Sequence, residues 1–294
     1  MLIGILSGLA AATIQPVAYL FSRSYLVRGG SAFSLTVYSQ VIMGLLSGGI
    51  LLAFLPDLPF SAEILKCATC SVLTILIAQI CYFFAVQVIE ASRLSTMLGL
   101  KIIFLVLMNM VFFGQTINAW QWLAVLLSAG SAFVMNHSGL RLNLRVIALV
   151  LVCCLFLAAS DIADFRLFSA IPGNNALYRG VLATAYCYGE LGLLSLPALL
   201  FVKFDWRKFC AAVPYSLAWL SAMLVFFLCL GLLGTVFTSI IQSARGLISV
   251  LMGAAVAALG YAQVESRSSN RIWMGRLAAA LMIMSAVLIF AWAQ

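Results

Sequence analysis

Charge is what this sequence has least of. Only 8% of its 294 residues are Asp, Glu, Lys or Arg, against about 25% in a soluble domain. A hydrated surface cannot be covered with so few charges, so a water-soluble globular fold is excluded. Histidine is nearly absent too: His137 is the only one. No HExxH, GxSxG or Gly-Asp protease pattern occurs, which removes the common hydrolase signatures. Cys67 and Cys70 form one CxxC spacing, with no second CxxC and no nearby His. Buried Cys acts as a small hydrophobe, so the eight cysteines predict packing, with no metal and no cofactor. A basic n-region is also missing after Met1. The first apolar run therefore reads as a span and not as a cleaved signal.

What is present is apolar length. Hydrophobic residues make up 65% of the chain, and the mean hydropathy is +1.17. About 20 apolar residues cross a bilayer as a helix. Breaks in hydropathy predict ten spans, at about 2–22, 32–55, 64–89, 94–113, 118–136, 146–169, 176–202, 212–232, 237–260 and 272–292. Their length and continuity fit helices, since a barrel strand needs only about 10 alternating residues. Turn signals separate them: Arg28-Gly29-Gly30, Pro56 to Pro59, Glu90 to Arg93, Gly114-Gln115, Ile171 to Asn175, Gly231 to Gly234 and Ser266 to Asn270.

The net charge of +8 would suggest nucleic acid in a soluble protein. Here it follows topology, and no nucleic-acid partner is expected. Loops after odd-numbered spans and their flanks carry eleven basic residues: Arg23, Arg28, Arg93, Arg141, Arg145, Lys203, Arg207, Lys208, Arg267, Arg271 and Arg276. Loops after even-numbered spans carry three: Lys66, Arg166 and Arg179. The positive-inside rule puts the odd loops in the cytoplasm and both termini outside. The expected location is a bacterial inner (cytoplasmic) membrane, with the bilayer itself as a partner and the chain a monomer or homodimer.

The remaining two bases lie inside spans. Shifting the chain by 144 residues lays Ser95–Phe104 (STMLGLKIIF) on Ser239–Ile248 (SIIQSARGLI), and Lys101 on Arg245. Each half, 1–140 and 141–294, then holds five spans. An odd number makes the halves enter the membrane in opposite directions, which is an inverted-topology repeat of the kind found in transporters. The expected fold class is an all-α integral membrane protein of about ten transmembrane helices in two inverted five-helix repeats.

This organisation resembles the drug/metabolite transporter superfamily in its ten-helix, EamA-type form, over nearly the whole chain. The run Glu90-Ala-Ser-Arg-Leu-Ser-Thr-Met-Leu-Gly-Leu and the span Trp122 to Met135 look like the fourth and fifth helices of that family. Lys101 stands where family halves often carry Pro, and Gly114-Gln115 where they often carry Gly-Glu. More distantly the chain resembles the triose-phosphate translocators, which hold phosphate with bases on the fourth and ninth helices. Lys101 and Arg245 match those helices, while Gly246 replaces the second base of the ninth-helix pair. The resemblance implies a secondary active transporter working by alternating access, and no enzyme.

An ionisable side chain within a span costs about 2.5–3.5 kcal/mol on insertion scales and marks a functional site. The candidates are Lys101, Arg245, Asp161, Asp164 and Glu190. Lys101 lies about eight residues into its predicted span, roughly 12 Å deep. Two cations facing one cavity favour an anionic or zwitterionic substrate bearing a carboxylate or phosphate. Internal pairing is the alternative: by depth Glu190 would meet Lys101, and Asp161 would meet Arg245. Asp161 and Asp164 are three apart on one helix face. Asp164 and Arg166 lie nearer the span end and are expected at the interface. The acids would serve as counter-charge or would bind protons as the coupling ion. Gln242, three residues from Arg245, and the pair Gln79 and Tyr82 are candidate cavity walls, joined by Gln15 and Tyr19 beside Pro16. A lipid-phosphate flippase would need the same cations. An intramembrane enzyme would need a partner motif for the Asp161/Asp164 carboxylates, and none occurs.

Overall fold

In the computed structural model the described residues are 1–86, 97–114, 116–136, 144–258 and 270–293. Arg93 and the rest of the expected Glu90 turn, Gln115, His137, Arg141 and most of the Ser266 turn lie outside them. The described residues form α1 (Leu2–Val27), α2 (Ala32–Ala53), α3 (Ala62–Val86), α4 (Lys101–Phe113), α5 (Ala119–Asn136), α6 (Leu144–Ala170), α7 (Ala176–Ser195), α8 (Trp206–Ala258) and α9 (Asn270–Trp292). No strand occurs among them. Among the described residues, six helical stretches are long and apolar enough to span a bilayer.

The helices begin where side chains cap them, and hydropathy alone misses this. Ser31 and Ser34 make a reciprocal capping box at the start of α2. Asn175 Oδ1 accepts from Leu177 N and Tyr178 N at the start of α7. Asp205 Oδ1 accepts from Arg207 N at 2.9 Å, so α8 starts at Trp206 and not near 212. Its first turn is polar (Trp206-Arg-Lys), but a satisfied N-cap outweighs the lack of apolar residues. At the other end of α7, Pro197 stops the helix. Residues Pro197–Phe201 continue it only as a 3-10 turn, because proline has no N–H to offer.

Helix α8 is 53 residues long, about 80 Å if it were straight. It is not one span. Gly234 interrupts it at φ 77 and ψ 173, a conformation that L side chains avoid. The break divides α8 into arms 206–233 and 235–258, at the Gly231–Gly234 boundary expected from the sequence. Helix α4 is shorter than the expected 94–113 among the described residues. A 3-10 turn at Leu98–Leu100 leads directly into Lys101.

The chain divides into two compact units. Unit 1 comprises Met1–Leu73 and Ala163–Leu232, and unit 2 comprises Thr74–Ile162 and Leu233–Gln294. Each sequence half, 1–140 and 141–294, therefore contributes to both units. Helices α3 and α6 pass from one unit to the other along their length.

In unit 1, Ile64, Leu167, Phe168, Leu182, Phe226, Phe227 and Leu230 form the core. Its tightest seam joins α2 to α7. A Cβ built on Gly44 would lie 2.6 Å from Gly192 Cα, so the two backbones touch. Small residues permit such contact without a water-driven hydrophobic force. Gln40 Oε1 accepts from Ser195 Oγ at 2.5 Å along the same seam.

In unit 2, Ala78, Ala85, Met97, Leu98, Val146, Val150, Cys153 and Cys154 form one cluster. Leu105, Ala158 and Ile162 form another. Helices α5 and α9 lie side by side: Asn118 Nδ2 donates to Ala293 O at 3.2 Å, and the rings of Trp120 and Trp292 meet edge to face at 5.6 Å.

Candidate substrate site: an ion pair on a polar helix face

The second arm of α8 carries a polar stripe. Thr235, Thr238, Ser239 and Gln242 are all buried, and Arg245 follows three residues later. Spacings of three and four put them on one helix face. In a bilayer such a face must find partners within the protein. The helices of unit 2 supply them. Asn109 on α4 donates its amide to Thr235 Oγ1 at 3.0 Å, and Thr235 Oγ1 lies 3.2 Å from Asn109 Oδ1. One turn along, Ser239 Oγ donates to Asp161 Oδ2 on α6 at 3.3 Å. Ser128 Oγ on α5 donates to Ser243 Oγ at 2.9 Å.

The same Asp161 oxygen holds the charge of the site. Lys101 Nζ lies 2.7 Å from Asp161 Oδ2, with side-chain exposures of 13% and 8%. A lone buried cation at Lys101 is disfavoured by the loss of its hydration. Asp161 offsets that cost. This corrects two expectations: Lys101 takes Asp161 and not Glu190, and Asp161 takes Lys101 and not Arg245. Depth within a span gives only one coordinate. Helix rotation and neighbour identity set which side chains meet.

Arg245 belongs to the same neighbourhood. It lies on the same arm of α8 as Ser239, six residues further on, and the buried thiols Cys153 and Cys154 stand on α6 with Asp161. Tyr82 packs against the cluster that contains those cysteines. Gln79, half-buried, precedes it by three residues on α3. Unit 2 thus gathers Lys101, Asp161, Gln242, Arg245, Gln79 and Tyr82. The sequence reading missed Ser239 as the second ligand of Asp161. Its signal was present, since Ser239 lies three residues before Gln242 on the stripe.

The other candidates belong to unit 1. Gln15 is buried on α1. Tyr19 meets the Trp219 ring edge to face at 5.8 Å. Asp164 was expected at the interface but is buried, because α6 runs on to Ala170 and packs its last two turns into the unit 1 core. Asp164 Oδ1 accepts from Ser71 Oγ and, at 3.6 Å, from Cys187 Sγ. Arg166, two residues on, is exposed. Glu190 lies on α7, with one carboxylate oxygen buried. Among the described residues, no group of His, Cys, Asp and Glu is arranged to hold a metal ion.

Comparison with known proteins reaches the same architecture. Residues 2–137 match the EamA-like transporter family. A solved crystal structure aligns with a TM-score of 0.71 over 98% of this chain and 97% of that chain, at 14% sequence identity. At that identity the likeness speaks to the fold alone. No curated protein matches.

Proposed function

We propose, from the premise that residues 2–137 are an EamA domain in a multi-pass membrane protein of the drug/metabolite transporter type, that the chain is a secondary active carrier of a small organic metabolite bearing a carboxylate or phosphate. The observation that carries this reading is the Lys101–Asp161 pair at 2.7 Å on the stripe that leads to Gln242 and Arg245. A buried ion pair contributes little net stability compared with a well-packed apolar pair. Keeping one in a span argues for use. In the resting state Asp161 neutralises Lys101. An incoming oxyanion competes for the ammonium and gains the Arg245 guanidinium, which can grip two oxygens at once. Gln242, Tyr82 and Gln79 are proposed to set the orientation of the rest of the solute. Displacement of Asp161 gives the empty and loaded states different internal electrostatics, which alternating access requires.

A thermal-shift screen on purified protein tests the substrate class. Organic acids, phosphate esters, zwitterionic amino acids and nucleotides are compared with neutral sugars at constant ionic strength. Carboxylates or phosphates are expected to raise the unfolding midpoint, and Arg245→Ala to reduce that response about tenfold in apparent affinity. That factor corresponds to about 1.4 kcal/mol, within the range of a charged hydrogen bond. No response to any anion, with a response to neutral solutes, overturns the reading. A response confined to phospholipid headgroups in the same screen points instead to a lipid-phosphate flippase.

Both termini are proposed to lie outside a bacterial inner membrane, with the basic loops in the cytoplasm. Alkaline phosphatase fused after Gln294 is expected to be active in bacterial cells, and green fluorescent protein at the same site dark. The opposite pair of results reverses the orientation.

A further inference from the structure

The connection between α7 and α8 mixes apolar residues and bases within a few positions: Leu199-Leu200-Phe201-Val202-Lys203-Phe204-Asp205-Trp206-Arg207-Lys208. The 3-10 turn Pro197–Phe201 leaves Leu200 87% and Phe201 81% exposed. These are the highest values for large apolar side chains among the described residues. Apolar surface of that extent is unfavourable in water, and at the end of a span it meets acyl chains. We infer that this connection is a docking site for an anionic phospholipid, its bases on the phosphate and its apolar residues among the acyl chains.

The patch is held in place before any lipid arrives. Tyr38 on α2 is fully buried. Its hydroxyl donates to Lys203 O at 3.2 Å and accepts from Asp205 N at 3.0 Å. Its ring meets Phe204 and Phe209 edge to face at 5.9 and 5.6 Å. Trp206 stacks on Phe209 at 5.6 Å. Phe204 and Trp206 are thus packed against neighbouring rings, yet both stay exposed. Rings already ordered lose little side-chain freedom on binding. Aromatic rings at span ends sit at the level of the headgroups.

Charge selects among lipids. Lys203, Arg207 and Lys208 are exposed. Asp205 is the one acid of the connection, and its Oδ1 already accepts from Arg207 N and Lys208 N. It caps α8, so an incoming anion meets side chains and not the bare helix end. The turn between α1 and α2 comes to the same place: Tyr25 and Leu35 cluster with Tyr38, Leu199, Val202 and Phe209. It adds exposed Arg28 and half-buried Arg23, and no acid occurs before Asp57. Five bases therefore stand against one acid. Bases alone would suit any phosphate, and apolar surface alone any lipid. Side by side they suit a phosphate diester carrying acyl chains and a net negative charge. Each base near an anionic surface contributes roughly fivefold in affinity.

The experiment titrates the full-length, detergent-solubilised protein with phosphatidylglycerol or phosphatidylcholine and counts retained lipid by native mass spectrometry. Phosphatidylglycerol is expected to be retained about tenfold more tightly. Arg207→Gln/Lys208→Gln should remove that preference, and Leu200→Ser/Phe201→Ser should weaken retention. Lys66→Gln/Arg166→Gln, which removes as much charge elsewhere in unit 1, should leave it unchanged. Equal losses in the two charge pairs overturn the site, as does equal retention of both lipids or full retention in Leu200→Ser/Phe201→Ser. Soluble glycerol phosphate is the remaining arm. Displacement of phosphatidylglycerol by comparable concentrations of it would mark a free-phosphate site and overturn the lipid. If the Arg207/Lys208 variant does not fold, the wild type decides. Phosphatidylglycerol must raise its unfolding midpoint above that in phosphatidylcholine, and added salt must reverse the rise. A rise indifferent to salt overturns the site. Lys101→Ala should retain lipid as the wild type does, so failure here is distinct from failure of the unit 2 reading.

Discussion

Lys101→Ala abolishes the stabilising response to organic anions and also lowers the unfolding midpoint of the empty protein. The first effect removes the ammonium that an oxyanion would contact. The second arises because Asp161 stays behind with its charge. Ser239 Oγ at 3.3 Å is then the neutral donor left to it among the bonds at that oxygen. Removing one partner of a buried pair costs about 3–5 kcal/mol. With side-chain exposures of 13% and 8%, some water screening puts the expected loss near the lower end. The double variant Lys101→Ala/Asp161→Asn separates the two effects. It should recover most of the stability, because no bare charge remains, but none of the anion response. A coupling of about 1 kcal/mol or more in the four-membered cycle identifies the pair as energetically real. Additive losses would mean that Lys101 and Asp161 act independently, and the displacement mechanism would fall with them. Retention of the full anion response in Lys101→Ala would move the substrate contact elsewhere.

The second large effect is steric. Gly192→Leu is expected to prevent α2 and α7 from docking. A Cβ at residue 192 would stand 3.1 Å from Gln40 O and 3.2 Å from Gly44 N. These neighbours are backbone, so no flexible side chain can swing aside. Overpacking against movable side chains costs about 1–3 kcal/mol. Against a rigid helix backbone, about 3 kcal/mol or more is expected, enough to leave little folded protein after detergent extraction. The control is one turn from the contact. A Cβ on Gly48 meets nothing within 4 Å, so Gly48→Ala should change stability by less than about 1 kcal/mol, in the stabilising direction if at all. Monodispersity on gel filtration and the unfolding midpoint report both. A well-folded Gly192→Leu protein would show that the seam is looser than this packing requires.

These two sites mark where sequence reading reached and where it stopped. The small residues Gly44 and Gly48 were legible as a four-residue pair permitting close approach. Only packing distinguishes the one that touches a backbone from the one that faces open space. Likewise Lys101 and Arg245 were legible as functional candidates, because charge within an apolar run has no local explanation. Their partners were not legible. Asp161 and Asp164 differ by three residues and look equivalent on a helical wheel. Yet Asp161 joins Lys101 and Ser239 in unit 2, and Asp164 joins Ser71 and Cys187 in unit 1.

The sequence by itself determined the membrane environment, the helical class and the division of the chain into spans. Each follows from terms that are local in the chain. Apolar runs of about 20 residues partition into lipid whatever their neighbours, and in lipid their backbones satisfy themselves only as helices. Breaks such as Gly234 follow from backbone sterics at a single residue. Tertiary structure alone decided which charges pair, which serine completes the carboxylate's ligands and which acids share a unit. Those outcomes depend on helix rotation and on contacts between segments 60 to 126 residues apart. Such contacts are set by the mutual packing of side chains from several helices, and no single segment carries that information.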